Sequence, residues 1–211
     1  MIRTEVPGTP GLTVLGPVRG LVRESEELVR TLDELDPPAI ALGLSVEETA
    51  GFQEHFVGAR AEPLVPLLTN ESVEIRELAR YGEVRVPNPS FLVTLEWGRR
   101  RGLPLEPVDP SEAEYADMFG DAVGYTELVG RTLRERRLLR SPPEASDPDA
   151  FILRWDAQLN RGAGSRQLQW VREQHVALRL RILLPRFGRL VLVLDRERVP
   201  VLLRALAPPA A

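Results

Sequence analysis

Arginine is the residue type with most chemical capacity in this sequence. All 27 basic side chains are arginine; lysine and cysteine are absent, and histidine occurs only at positions 55 and 175. Without lysine there is no Schiff-base amine and no phosphate-loop ammonium. Without cysteine there is no disulfide, thiolate nucleophile or zinc-thiolate site. What remains is the guanidinium, permanently charged, with a planar fork of N–H donors that suits phosphate or carboxylate. Arg172, Arg179 and Arg186 recur at steps of seven, and Arg131, Arg134, Arg136, Arg137 and Arg140 crowd one stretch. That stretch reads as the solvated basic face of a helix. Nucleic acid is not expected as a partner, because no aromatic residue lies between Tyr125 and Phe151 for bases to stack on.

Other candidates have structural explanations. His175 falls in an apolar helical stripe and reads as a core histidine bonded to a neighbour, and His55 reads as a surface residue. Glu112, Glu114 and Asp117 could do acid–base work only if held in a cleft, and fit better as the negative first turn of a capped helix. Ser45, Ser111 and Ser165 read as caps, and the spacings Gly120-x-x-x-Gly124 and Gly162-x-Gly164 are too sparse for phosphate loops.

These residues must be positioned by a chain of 211 residues, 43% hydrophobic, 27% charged and carrying a formal charge of -4. Such values suit one globular domain, expected to span residues 1–206, with a flexible tail over 207–211. Charge is divided unevenly. Residues 1–150 hold 16 arginines against 27 acids, and residues 151–211 hold 11 arginines against 4 acids. Either the two parts attract each other within one domain, or the last third builds an anion-binding face. The first ten residues contain no apolar targeting segment, and the apolar runs 39–44 and 190–194 are strand-sized, so no transmembrane segment and a cytoplasmic location are expected.

Leu12–Leu15 reads as a strand ending at Gly16-Pro17. A helix over Glu24–Leu35 is stopped by Pro37-Pro38, and a second strand runs from Ala39 to Leu44. Ser45 with Glu48, and Ser111 with Glu114, are capping boxes. Helices are expected at 71–81, from Asn88-Pro89 to near Gly102, at 123–139 and at 165–184, with strands at 103–108 and 190–194 and a short last helix at 199–206. Ser141–Asp149 reads as an internal linker, its Asp147-Pro148 opening the next helix. On the longest helix two apolar stripes are expected, one of Leu168, Val171, His175, Leu178 and Ile182 and a second of Trp170, Ala177, Leu180 and Leu184. A strand, helix, strand succession predicts the fold class α/β, with a mostly parallel central sheet flanked by helices.

The order strand, Gly16-Pro17-Val18-Arg19, helix, then Pro38-Ala39-Ile40-Ala41-Leu42, resembles the start of the TraB/PrgY/Tiki superfamily, which reads GTAHVS, a helix, then a strand such as VALEL. Val171–Ala177 resembles that family's ERDxYMA stretch. Leu190–Arg198 stands where a strand leads into a second G-x-x-H element, and Arg100–Gly102 with Leu105–Asp109 resembles its AxxLGAxVxLID segment. The likeness touches most of the chain in short pieces.

The resemblance implies a divalent metal held by the histidines of two G-x-x-H motifs, supported by a glutamate of the second strand. Here those positions are Arg19, Arg198 and Gly43. A guanidinium cannot coordinate a cation, so this likeness predicts a catalytically degenerate protein with no metal and no cofactor. The expected function is a binding or regulatory module, with Arg19, Arg172 and Arg198 lining an anion-accepting cleft for a small anionic ligand or acidic peptide. In a second reading Arg19 and Arg198 merely pair with Glu24, Glu26 or Asp195. A third keeps metal-dependent hydrolysis, peptidase- or esterase-like, on carboxylates such as Glu24, Glu47 or Asp195. A structural subunit, and a homodimer, are also compatible with the sequence.

Overall fold

Leucine- and valine-rich runs bounded by glycine and proline build the sheet. The computed structural model describes residues 1–58 and 69–207. Its five strands are β1 (Ile2–Glu5), β2 (Leu12–Gly16), β3 (Ile40–Leu42), β4 (Leu105–Pro107) and β5 (Leu190–Val193), in spatial order β1-β2-β5-β3-β4. Only β1 is antiparallel; β2, β5, β3 and β4 run parallel. The protein is thus α/β with a mostly parallel sheet, as its strand and helix spacing predicts.

The first crossover, β2 through α1 (Val22–Leu35) to β3, leaves a gap one strand wide, and β5 fills it from the far end of the chain. Val14 pairs with Leu192, and Ile40 with Val191, so β5 has neighbours on both sides and all four of its residues are buried.

Alternation along the strands sorts the core onto two faces. Val14, Ala41, Leu190 and Leu192 pack with Val176, Leu180 and Leu183 of α8 (Ala163–Phe187) and Leu202 of α9 (Val199–Leu206). Leu15, Ile40, Leu42, Val191 and Val193 pack with Leu28 and Leu32 of α1 and with Phe91 and Leu95 of α4 (Pro89–Arg100). A third cluster lies past the carboxyl end of β2. It joins Val18 and Leu21 to Leu78 of α3 (Thr69–Leu78), Leu138 of α6 (Tyr125–Arg140) and Phe151, Ile152 and Trp155 of α7 (Pro148–Leu159).

The caps at Ser45, Ser111, Asn88 and Asp147 fall where the sequence puts them, but Ser165 is no cap: α8 begins after Gly162, and the Ser165 hydroxyl donates to Glu127 at 2.8 Å. Ser45 and Glu48 exchange hydrogen bonds of 3.0 and 2.8 Å at the start of α2 (Val46–Gly58), and Ser111 and Glu114 do the same for α5 (Glu112–Ala122). Asp147 caps α7 and Asn88 caps α4, each followed by proline. The segment between α6 and α7 is tied down, with Tyr81 donating to the Ala145 carbonyl at 2.8 Å.

One strand is unexpected, and three expectations about the longest helix need correction. The first residues include a strand, β1, whose alternating half-exposed pattern suits a sheet edge. Helix α8 continues through Pro185, because a proline in the last turn removes only one hydrogen bond. Its inward face is Leu168, Glu173, Val176, Ala177, Leu180 and Leu183, which takes Ala177 and Leu180 from the second expected stripe, whereas Leu178 and Ile182 of the first are 57% and 58% exposed. His175 consequently sits half-buried on the flank of the helix, outside the core. The side chain of His55 and the tail at 208–211 lie outside the described residues. Among the described residues, no helix is long and apolar enough to cross a membrane.

Candidate functional site

The carboxyl ends of β2, β5, β3 and β4 open into a cleft of about 490 Å³, walled by α5, α6, α7 and α8. Open parallel sheets place ligands at this edge, where strand order reverses around the first crossover. Arg19 follows β2, Arg198 ends the 3-10 turn after β5, and Arg172 projects from α8; all three line the cleft. Gly43, at the end of β3, lines it too.

Arg198 is the most constrained of these side chains, with 9% of it exposed. Its Nη1 and Nη2 each donate to Asp109 at 2.8 Å, its Nε donates to Glu173 at 2.6 Å, and Nη1 also reaches the Gly43 carbonyl at 3.2 Å. Asp109 is placed by the sheet itself, since its N–H donates to the Leu44 carbonyl at 3.1 Å just beyond the β3–β4 pairing. Arg172 grips the same carboxylate from the other side, its Nε at 3.0 Å, and lies over the Tyr115 ring. Burial pushes the Asp109 carboxyl up, but Arg198 and Arg172 outweigh it and hold it below the usual range.

Arg19 is looser. Among the described residues its Nη2 is engaged by Glu74 at 3.2 and 3.4 Å, and 40% of the side chain is exposed. Near it lie Asp195, which accepts from Asn88 Nδ2 at 3.1 Å, and Glu197. The Glu197 carboxyl has a buried Oε2 with no hydrogen-bond partner among the described residues. Burial, and then the charge of Asp195, push it up to about 8, so it is mostly protonated at neutral pH. Glu173 is likewise raised by burial, which the attraction of Arg198 only partly offsets, and its Oε2 has no donor.

Carboxylates therefore outnumber arginines in the lining. Glu48, Glu74, Asp109, Glu112, Asp156, Glu173, Asp195 and Glu197 stand against Arg19, Arg131, Arg172 and Arg198. The expected convergence of Arg19, Arg172 and Arg198 is present, but the forks of Arg172 and Arg198 close on Asp109 and Glu173. Their partners are also not those of the second reading. Glu24 instead accepts from the Val18 N–H at 3.2 Å, and Glu74 takes Arg19.

The positions that the resemblance assigns to a metal do not fit one. Arg19 and Arg198 are cations, and an ideal Cβ on Gly43 would collide with Leu194 Cδ1 and press on the Val193 carbonyl, leaving no room for a carboxylate there. Of the relocated candidates only Asp195 lines the cleft, whereas Glu47 is exposed on α2 and Glu24 is committed to the start of α1. Among the described residues no three histidine or carboxylate side chains are grouped to hold a metal ion.

Sequence reasoning missed Asp109, Glu173, Glu197 and Asp156 as cleft residues. A signal was present: the four acids of residues 151–211 are Asp156, Glu173, Asp195 and Glu197, and every one lines the cleft. In so basic a segment each acid has a specific place. The uneven charge also joins the two parts of the chain, through Arg172 and Arg198 to Asp109, Arg196 to Asp149 and Arg186 to Glu106. No protein-family model matches the chain, and no curated protein matches it.

Proposed function

We propose that the chain is a catalytically degenerate TraB-like protein that acts as a binding or regulatory module through this cleft. The observation that carries the reading is the environment of Arg198. Where the likeness calls for a metal-binding imidazole, a guanidinium is locked to Asp109, Glu173 and the Gly43 carbonyl. The meeting of Arg19, Gly43 and Arg198 in one cleft supports the likeness, because three distant motifs are brought where that family would assemble its centre.

The lining sets the chemistry of the ligand. Carboxyl groups outnumber guanidiniums, the buried Oε2 atoms of Glu173 and Glu197 have no partner among the described residues, and Arg198 and Arg172 are closed on Asp109 and Glu173. A small polar ligand that brings N–H donors, such as an amine, is favoured over the anionic ligand or acidic peptide that the arginines alone suggest.

A thermal-shift screen with argininamide and spermidine in one arm, citrate and succinate in another, and manganese in a third tests this. The expected result is stabilisation by the amines that is lost in Asp195→Asn with Glu197→Gln. Stabilisation by citrate alone would restore an anion-accepting cleft, and manganese stabilisation abolished by a chelator would restore a hydrolase.

A further inference from the structure

Free guanidiniums do occur, but on another surface. A groove of about 330 Å³ between α6 and α7 is lined by Arg134, Arg137, Leu138, Gln158 and Arg161. No carboxylate is among its lining residues, in a chain whose acids outnumber its arginines 31 to 27. Arg134 is committed, its Nη2 donating to Glu127 at 2.6 Å and its Nε to the Leu159 carbonyl at 3.1 Å, where it closes the end of α7. Arg137 and Arg161 are exposed and make no side-chain hydrogen bond or ion pair among the described residues.

We infer that this groove binds a phosphate group, gripped by Arg137 and Arg161 with Gln158 as a further donor. Like charges crowded around a groove repel one another, and a multiply charged anion relieves that repulsion. A tetrahedral phosphate has enough oxygens to accept paired N–H bonds from one guanidinium and single bonds from its neighbours. A plain helix-end role explains Arg134, which caps carbonyls, but leaves Arg137 and Arg161 without a partner. This goes beyond the cleft reading and uses none of its residues. The phosphate could be carried by a free small molecule, or by a lipid headgroup met by the exposed Tyr125, Val129 and Leu133 at the other end of α6.

Titration calorimetry with inorganic pyrophosphate, and cosedimentation with vesicles of phosphatidylcholine with or without phosphatidic acid, separate the two sources. The comparison is wild type, Arg137→Gln/Arg161→Gln, and Arg136→Gln/Arg140→Gln, which removes the same charge from exposed positions outside the groove. Saturable pyrophosphate binding that falls at least about ten-fold in the groove variant but not in the control supports a free phosphate ligand. Vesicle binding with that same dependence, without pyrophosphate binding, supports a lipid phosphate. Binding of neither probe, or equal loss in both variants, overturns the proposal. All these side chains are exposed, so unchanged thermal unfolding is expected and checks that the variants fold.

Discussion

Arg198 and Asp109 are 89 residues apart in sequence and face each other through two hydrogen bonds of 2.8 Å, with 9% and 2% of their side chains exposed. This pair joins the turn after β5 to the end of β4, and Glu173 and Arg172 of α8 complete it from either side. Four groups from three parts of the chain thus fix the floor of the cleft. Each depends on the others, because a buried charge without its counter-charge is far more costly than the pair is favourable.

Replacing Asp109 by Asn should therefore destabilise the protein by about 3–5 kcal/mol, since Arg198 stays buried with half its compensation gone. Urea unfolding measures this. In the double variant Asp109→Leu/Arg198→Met the loss should be smaller, because the charges that lose their partners are Glu173, whose carboxyl burial already pushes towards the neutral form, and the part-exposed Arg172. A double variant as unstable as the single one would show that packing, not charge pairing, dominates at this position.

Glu197 makes stability depend on pH in a predictable direction. Its carboxyl is raised from an ordinary value near 4.5 to about 8 in the folded chain. The folded state therefore holds this proton more tightly than the unfolded state, and stability falls as pH rises between those values. Glu197→Gln removes that contribution. The variant should show a flatter stability profile than wild type from pH 5 to 8 and exceed it at pH 8.5. Parallel profiles for the two proteins would mean that Glu197 ionises normally.

Asp109 acts in the opposite sense. Because its carboxyl is held low, its contribution is complete above the ordinary carboxylate range and is lost as pH falls through the lowered folded value. Acid unfolding should shift to higher pH in Arg172→Gln, which removes one of the two cations responsible. An unchanged acid midpoint would place the sensitivity elsewhere.

Gly43 is restricted by space. A methyl group there meets Leu194 Cδ1 and lies 3.2 Å from the Val193 carbonyl oxygen, a backbone atom fixed by the sheet. Gly43→Ala should cost about 1–3 kcal/mol by overpacking, read by urea unfolding. Leu194→Ala in the same chain makes room and should recover part of the loss relative to Leu194→Ala alone. Strict additivity of the two substitutions would contradict the contact.

Much of the fold can be read locally. Apolar runs announce β2, β3 and β5, and the pairs Ser45/Glu48, Ser111/Glu114, Asn88-Pro89 and Asp147-Pro148 announce helix starts, because capping chemistry acts within four residues. The place of β5 between β2 and β3 is a long-range pairing that no local pattern encodes. Helix α8 misleads because apolar residues occur on more than one of its faces, and only packing against the sheet selects Val176, Leu180 and Leu183 over Leu178 and Ile182. That Arg19, Arg172 and Arg198 line one cleft follows from no local pattern. Nor do their partners, since Asp109 and Glu173 reach Arg198 across 89 and 25 residues.

Metal retention tests most directly the proposal that the lock of Arg198 on Asp109 and Glu173 stands in place of a metal centre. Purified protein would be incubated with manganese, cobalt or zinc, desalted, and analysed for elemental content alongside thermal unfolding. A locked Arg198 predicts retention far below about one ion per chain and no shift in unfolding temperature. Retention of about one ion per chain, with matching stabilisation reversed by a chelator, would contradict it and place a carboxylate metal site in the cleft.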